Sequence, residues 1–337
     1  MRSPARSAER LPDTPGFLTE ERLLHLNSFV HEQFSRDNLP NGKRGPFPFP
    51  VDVGAHPAMA SYLRPGDLES ALSALAETPR IIVAGGTDYY PARVGRPLDD
   101  DVLDVTGIES LRAIEDLGGS WRFGALVTWT QVIEAALPPA FDGLKRAARE
   151  VGGVQVQNAG TVVGNVCNAS PAADGVPNLL ALDAAVELAS RDSARSVPVG
   201  DFITGNRETV RARDEIVTGI TVPRPAEGAA SSFLKLGARH YLVISIVMTA
   251  GVLEPAPDGT VASLRLAVGS CSAVAQRLHA LEDALRGRPI GAGLREAVTE
   301  EHLAALSPID DVRGTGAYRM DAALTLVRRT LAELESA

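Results

Sequence analysis

The amino-acid sequence predicts an α+β protein in which two regions that mix helices and strands precede a C-terminal domain with an antiparallel sheet and helices. Three observations lead to this class. A helical pattern runs into an apolar strand and a glycine turn between residues 65 and 88, strands and helices alternate from 120 to 223, and strands followed by helices come after Pro223. Strands grouped before helices are typical of an α+β domain.

The first region opens with a helix and a strand. Apolar residues at helical spacing before Pro79 predict the helix: Leu68, Ala71, Leu72 and Leu75. The apolar run at residues 81–84 predicts a buried strand because it ends abruptly in glycine, and VLDVT at 102–106 predicts another.

The second region combines strands, helices and a long polar loop. Its predicted elements are a strand at 121–125, helices at about 129–136 and 143–151, a hairpin at about 185–198 and a strand, EIVTGITVP, ending at Pro223. Val186 and Leu188 alternate with Glu187 in the hairpin, which is the pattern of a half-buried strand. Residues 158–177 are predicted to be a loop, since glycine, asparagine and serine recur there.

The C-terminal region begins with an antiparallel meander. Its predicted strands are SSFLKLG, the long run at 241–253 and SLRLAVGS, with a turn at 257–259. Predicted helices follow at about 275–286, 292–306 and 318–334, the last with an apolar face of Ala322, Leu324, Val327 and Leu331. Residues 1–57 are instead rich in arginine, proline and glycine, which predicts a poorly ordered extension or an arm that docks on a partner.

Composition excludes several classes of function. The chain has 337 residues, 45% of them hydrophobic, and a net charge of −9, which argues against nucleic acid or an anionic membrane as the main partner. Its two cysteines cannot form a disulfide framework, so a reducing cytoplasm is expected. The longest apolar run, 241–253, is too short to span a bilayer and contains Ser245 and Thr249.

Two glycine-rich loops are the candidate binding elements. Gly85-Gly86-Thr87-Asp88 follows the first strand, and Gly160-Thr161, Gly164-Asn165 and Asn168 recur in the second region. Paired glycines allow close backbone approach, and successive N–H groups in such a turn form a concave site for an anion such as phosphate. A plain β-turn explains either loop alone, whereas two such loops favour a ligand with two parts.

Two charged residues accompany these loops. Asp174 lies in a stretch with little other charge and can accept hydrogen bonds from sugar or ribityl hydroxyls, or else serve as a helix or turn cap. Lys235 stands between Leu234 and Leu236 on a predicted strand and therefore faces the opposite side, either a ligand cleft or solvent.

Common catalytic signatures are missing from the sequence. It contains no GxGxxG, GxxxxGK[ST], HExxH, GxSxG or CxxC pattern, and its six histidines are scattered. The sequence therefore predicts neither a catalytic acid, base or nucleophile nor a metal site.

Together the loops resemble the FAD-binding medium subunit of the molybdenum hydroxylases, the group that includes xanthine dehydrogenase, carbon monoxide dehydrogenase and hydroxybenzoyl-CoA reductase. The resemblance covers about residues 59–335. It rests on AGGTD at 84–88, FGA at 123–125, NAGTVVGN at 158–165 and ASPAAD at 169–174, with support from LLALDA at 179–184, FLKLGAR at 233–239 and Tyr318-Arg319.

The resemblance implies an FAD-binding domain at residues 58–225, built from two α/β subdomains at about 58–118 and 119–225, and a carbon monoxide dehydrogenase flavoprotein-like domain at 226–337. The first loop would bind the FAD pyrophosphate through backbone amides, and the second would run along the ribityl chain and flavin. The implied cofactor-binding residues are Ile82, Val83, Ala84, Gly85, Gly86, Thr87, Asp88, Phe123, Ala125, Gly160, Thr161, Gly164, Asn165, Asn168, Asp174, Ile220 and Lys235.

The implied function is electron relay within an oxidoreductase. A molybdopterin-binding large subunit would oxidise substrate, [2Fe–2S] clusters on a small subunit would carry the electrons, and FAD on this chain would pass them to NAD⁺, oxygen or another acceptor. Two positions depart from the family pattern: Val163 replaces the first glycine of Gly-Gly-Asn, and Gln157 stands where arginine is frequent. The alternatives are a free-standing flavin oxidoreductase, a non-catalytic interaction module that has lost FAD, and a nucleotide-binding enzyme of another class.

Overall fold

The computed structural model of the chain describes residues 60–291 and 293–337, and the predicted extension at 1–57 lies outside them. The helices are α1 (Leu68–Glu77), α2 (Trp129–Glu134), α3 (Asp142–Glu150), α4 (Val154–Ala159), α5 (Val162–Asn168), α6 (Gly175–Ala181), α7 (Val199–Phe202), α8 (His279–Leu285) and α9 (Gly316–Glu335). The strands are β1 (Tyr62–Leu63), β2 (Ile81–Val83), β3 (Val102–Asp104), β4 (Ile114–Asp116), β5 (Ser120–Gly124), β6 (Ala185–Ala189), β7 (Ala194–Pro198), β8 (Ile203–Gly205), β9 (Glu208–Thr209), β10 (Ile216–Pro223), β11 (Ala230–Leu236), β12 (Val247–Pro255), β13 (Val261–Gly269) and β14 (Gln276–Arg277).

A small parallel sheet carries the first glycine loop. Its strands lie in the order β1-β3-β2, and α1 precedes β2. Asp67 caps α1 by accepting a hydrogen bond from the Ser70 N–H, which satisfies one of the free amides of the first turn. Because β2 ends at Val83, the Gly85-Gly86 turn emerges from the carboxyl edge of this sheet, where ligands of α/β units commonly bind.

A second sheet is five-stranded and antiparallel, in the order β4-β5-β10-β6-β7. The predicted hairpin is confirmed as β6 and β7, in which Val186 and Leu188 are buried and Ala189 pairs with Ala194 across the turn. A bulge in β10 lies between Val217 and Gly219.

The prediction of one continuous loop at residues 158–177 is wrong. Three short helices, α4, α5 and α6, occupy much of this segment. Glycine and β-branched residues lower the intrinsic helix propensity of α5, but Val162, Val163 and Val166 are buried, so packing overrides that propensity.

The C-terminal domain is an antiparallel sheet, β11-β12-β13-β14, with helix α9 against it. Alternation along β11 separates its two faces: Phe233 packs into the core of the two preceding subdomains, whereas Leu234 and Leu236 pack into the C-terminal core with α9. Sheets and helices are thus organised as the predicted α+β class, which is confirmed.

Three C-terminal predictions need correction. Residues 292–306 were predicted to be helical, but from 293 onward the segment forms two 3₁₀ turns, Leu294–Ala297 and Glu300–Leu303, because Gly293 has a φ of +80° and Val298 is extended. The helix predicted from residue 275 begins only at His279, since Gln276 and Arg277 pair with β13. The strand predicted from residue 241 begins at Val247. Within the described residues, no helix is long and apolar enough to cross a membrane.

Candidate functional site

The two glycine loops meet at one large cavity. Its volume is about 930 Å³, at the upper end of the range of roughly 300–1,000 Å³ that is typical of small-molecule sites. Fourteen of the seventeen predicted cofactor-binding residues line it: Ile82, Val83, Ala84, Gly85, Gly86, Thr87, Asp88, Ala125, Gly160, Thr161, Gly164, Asn165, Asn168 and Asp174. Folding therefore assembles two loops that are distant in sequence into the walls of a single site.

Each glycine of the first loop has its own physical requirement. A Cβ at Gly85 would lie 1.8 Å from the Ala159 carbonyl oxygen, so only glycine lets the two loops touch through their backbones. Gly86 has a φ of +67°, which L-residues rarely adopt. Its carbonyl accepts a hydrogen bond from the Tyr90 N–H at 3.1 Å, closing the turn.

Backbone hydrogen bonds join the second loop to residues 127–129, where helix α2 begins. The Trp129 N–H donates to the Gly160 carbonyl at 3.2 Å, and the Val162 N–H donates to the Val127 carbonyl at 3.0 Å. Thr161 then caps α5 by accepting from the Gly164 N–H at 2.9 Å. Because a helix starts here, the amides of Val162 and Val163 belong to its first turn, which generally favours negative charge.

Val163, which departs from the glycine of the family pattern, is accommodated without backbone strain. It lies within α5 and is not among the residues with positive φ, and its side chain is only 4% exposed while lining the cavity. The departure therefore alters the shape of the cavity wall, not the backbone. Gln157 is also buried, and its amide donates to the Arg149 carbonyl at 3.0 Å.

A buried ion pair closes the end of the cavity where the two domains meet. The Lys235 ammonium lies 2.7 Å from one Asp174 carboxylate oxygen, and the Ser245 hydroxyl donates to the other at 2.5 Å. Side-chain exposure is 6% for the lysine and 8% for the aspartate. Burial raises the pKa of Asp174, while Lys235 and Ser245 oppose that shift. Lys235 also donates to the Glu150 carbonyl at 3.3 Å.

Lys235 thus faces the cleft side of β11 and not solvent, although it does not itself line the cavity. Phe123 and Ile220 lie in the core, fully buried and opposite one another in the β5–β10 pairing. Neither residue lines the cavity, whereas Ala125 does.

Sequence reasoning missed several residues of the cavity wall: Glu150, Cys167, Arg207 and Arg211. The β8–β9 turn brings Arg207 there, since its N–H donates to the Ala169 carbonyl at 2.9 Å and its guanidinium donates to the Asn168 side chain. Burial raises the pKa of the Cys167 thiol to about 12. No sequence signal separated these arginines from the many others in the chain.

Comparison with known proteins decides the family. A family model described as the FAD binding domain in molybdopterin dehydrogenase matches residues 57–225, and one described as the CO dehydrogenase flavoprotein C-terminal domain matches residues 232–334. The xanthine dehydrogenase FAD-binding subunit of Escherichia coli O157:H7 is 30% identical over 286 residues, which cover 82% of this chain and 97% of that protein. This chain belongs to the FAD-binding subunits of the molybdopterin dehydrogenases.

Further relatives place the chain among the subunits of oxidoreductase complexes. The nicotine 6-hydroxylase medium subunit of Paenarthrobacter nicotinovorans is 28% identical over 277 residues, covering 81% of this chain and 96% of that protein. Carbon monoxide dehydrogenase from Hydrogenophaga pseudoflava, in a form lacking the Mo-pyranopterin moiety of the molybdenum cofactor, contains a chain that superposes with a TM-score of 0.76 at 26% identity, covering 84% of this chain and 99% of that one.

The residues present fit FAD, the cofactor of this family. Gly85 keeps a side chain out of the space between the loops, and Gly86 supplies the positive φ of the turn, as close approach of backbone amides to a diphosphate requires. Arg80, Arg93, Arg207 and Arg211 line the same cavity and oppose the negative charge of a diphosphate. Asp174 has accepted one hydrogen bond on each oxygen and retains capacity for a hydroxyl donor.

Proposed function

We propose that this chain transfers electrons from [2Fe–2S] clusters of a partner subunit, through FAD held between the two glycine loops, to NAD⁺ or another acceptor. The observation that carries the proposal is the backbone contact of the loops at Gly85 and Ala159, which makes one wide cavity from the two elements that sequence reasoning assigned to one ligand. The complex would work in the cytoplasm and include a molybdopterin-binding large subunit.

The first loop would hold the diphosphate. Backbone amides of Gly85, Gly86, Thr87 and Asp88 follow one another in a turn with a left-handed residue, a geometry that gathers N–H groups around an anion. In the first turn of α5 the Val163 N–H would add one more backbone donor, since the N–H groups of Val162 and Gly164 already donate to Val127 and Thr161. The glycines would let the backbone approach the anion, and the arginines of the cavity wall would oppose its charge.

The second loop and the ion pair would orient the remainder of the cofactor. Asn165 and Asn168 offer amide donors and acceptors on the wall formed by α5. Asp174 is fixed by Lys235 and Ser245, so its free lone pairs point in a set direction. Because the lysine neutralises the carboxylate, this end of the cavity carries little net charge.

The chain offers binding and orientation and no acid–base step. When bound, FAD would supply the redox chemistry, and the protein around it sets the position and electrostatics of the ring. Residues of this chain would exclude water through the apolar part of the wall, formed by Val83, Val156 and Val163 among others.

Support for the partners comes from the named relatives. The nicotine 6-hydroxylase relative is a medium subunit, and the superposed chain comes from an enzyme with a molybdenum cofactor. The chain matches such subunits over nearly their full length, so a similar place in a complex is the simplest assignment.

Rapid mixing under anaerobic conditions tests this function. The FAD-loaded chain is mixed with its [2Fe–2S] partner subunit, previously reduced with dithionite and freed of excess reductant, and NAD⁺ is added afterwards. We expect the visible flavin band to bleach on the first mixing and to return on the second if NAD⁺ is the acceptor. A flavin that stays oxidised beside the reduced partner would refute electron relay, and its direct reduction by small molecules would favour a free-standing oxidoreductase.

A further inference from the structure

Arg319 is a fully enclosed arginine at the start of helix α9, outside the FAD cavity. Its side chain is 3% exposed, and its guanidinium donates to two main-chain carbonyls, those of Ile246 at 2.6 Å and Ser270 at 3.0 Å. Asp311 accepts from the same guanidinium at 2.7 Å. A rigid planar donor group thus ties together the start of β12 and the end of β13.

Both tied segments reach the loop that contains Asp174. Ser245, the neighbour of Ile246, donates its hydroxyl proton to Asp174 at 2.5 Å. The Ser270 N–H donates to the Pro171 carbonyl at 3.0 Å. Arg319 therefore supports both polar contacts of the C-terminal domain with residues 169–174. It bonds directly to Ser270, which makes one contact, and to Ile246, the neighbour of Ser245, which makes the other.

The local backbone indicates that these contacts need an external support. Ser270 has a φ of +62°, a region that residues other than glycine enter only at a cost. The Ile246 N–H donates to the Leu236 carbonyl at 2.8 Å, next to Lys235, so a shift of Ile246 would also disturb the ion pair. Without the guanidinium, both carbonyls would be left to find other donors in the interior.

We propose that Arg319 is a positioning residue for the FAD site, which fixes Pro171 and Asp174 through Ser270 and Ser245 and so sets how tightly and in what orientation this chain holds its cofactor. The inference rests on the proposed location of FAD. It assigns to the C-terminal domain a part in cofactor binding through a residue that contacts no cofactor.

Variants of the full chain separate positioning from plain stability. Arg319→Met removes the donors while keeping much of the volume, and Arg319→Lys keeps the charge but loses the fork that serves two carbonyls at once. Leu331→Ala is the matched control, since Leu331 is fully buried on the same helix and its truncation weakens the same core without touching either carbonyl. Dissociation constants for FAD and visible circular dichroism of the bound flavin are measured for each.

We expect Arg319→Met to raise the dissociation constant about tenfold and to change the flavin dichroism, with Arg319→Lys recovering only part of the loss. Leu331→Ala should lower the stability of the chain. In the fraction that remains folded, it should leave the FAD dissociation constant and the flavin dichroism unchanged. Combining Arg319→Met with Ser245→Ala should give less than the sum of the two effects, because both act on Asp174. Equal FAD affinity and dichroism in the Arg319 variants and the leucine control would overturn the proposal.

Two further variants keep the test decisive. If Arg319→Met does not fold, Asp311→Asn removes the carboxylate partner of the guanidinium from a half-buried site, and it should reproduce the change in dichroism; its absence refutes the proposal. Asp174→Asn tests the location of FAD itself. If it weakens FAD and the Arg319 variants do not, only the positioning role fails, whereas no effect of Asp174→Asn removes the basis for both proposals.

Discussion

Replacing Gly85 with alanine tests the contact on which the cavity depends. The added Cβ would lie 1.8 Å from the Ala159 carbonyl oxygen and 2.5 Å from its carbon, both of them backbone atoms that cannot rotate away. Carbon–oxygen contacts are normally no closer than about 3.3 Å, so the loops must separate by about 1.5 Å. The two loops would then lie too far apart to hold a bound diphosphate between them.

The expected size of the effect follows from this clash. Overpacking a close contact costs typically about 1–3 kcal/mol. In the free chain the loops can relieve the clash by separating, so the cost appears when FAD binding requires them to come together again. A cost of about 1.4 kcal/mol corresponds to a tenfold loss of affinity. Gly85→Ala should therefore weaken FAD binding by roughly tenfold to a hundredfold, with a smaller loss of thermal stability in the cofactor-free chain.

Flavin fluorescence quenching on titration with the chain measures this constant. Gly118→Ala is the matched control, because Gly118 has a φ of +78° but no atom within 4 Å of an added Cβ. It should lose about 1–2 kcal/mol of stability through backbone strain and keep its FAD affinity. Unchanged affinity in Gly85→Ala, or an equal loss in Gly118→Ala, would refute the argument from loop contact.

Three further predictions concern charge and burial. Lys235→Met should lower the free energy of unfolding by about 3–5 kcal/mol, because it leaves the Asp174 carboxylate buried without its cation, and adding Asp174→Asn should recover part of this; chemical denaturation of both variants checks it. The Arg195 guanidinium holds the pKa of Glu215 below its usual range, so the stability from this pair is present above the ordinary glutamate pKa and is lost as pH falls. The stability difference between wild type and Glu215→Gln should accordingly shrink from neutral pH to below about pH 4, and a constant difference would contradict it. Cys271 is fully buried, and burial raises the pKa of its thiol to about 11, so iodoacetamide should leave it unlabelled in the native chain at neutral pH and label it in urea; rapid native labelling of Cys271 would show that this thiol is exposed.

Periodicity predicted most of the strands and the long helices of this fold. The alternation of Val186 and Leu188 around Glu187 is a local signal of a sheet with one buried face, and it was sufficient for the β6–β7 hairpin. Helix α9 shows its apolar face over many turns, and Asp67 caps α1 directly. Residues close together in the chain specify such elements, so a single sequence is sufficient to predict them.

Elements that depend on tertiary contacts could not be predicted in the same way. Helix α5, which is part of the second loop, contains glycine and valines, and the burial of Val162, Val163 and Val166 in the core makes it helical. Residues 294–303 look helical in composition, but the left-handed Gly293 precedes them and the extended Val298 separates two 3₁₀ turns, and the sequence carries no local signal for this break at a valine. The apolar run predicts a strand that includes Tyr241 and Ile244, but both side chains are exposed, in a segment where Arg239 donates to the Leu242 carbonyl.

The candidate site shows the same division. The sequence reveals the glycine loops because glycine, threonine and asparagine occur close together in each of them. The family resemblance then assigns both loops to one cofactor. Position 85 requires glycine because its backbone lies against the Ala159 carbonyl, and this contact between distant residues cannot be predicted from their spacing in the sequence. Arg207 reaches the cavity by way of the β8–β9 turn, and Arg319 acts through two carbonyls, so neither stands out until the chain is folded.

A crystal structure of the chain with FAD tests the central claim most directly. We predict one FAD per chain in the cavity, with its diphosphate against the amides of Gly85 to Asp88 and a hydroxyl within hydrogen-bond distance of Asp174. FAD bound elsewhere on the chain, or a well-folded chain that takes up no FAD at saturating concentration, would contradict the account.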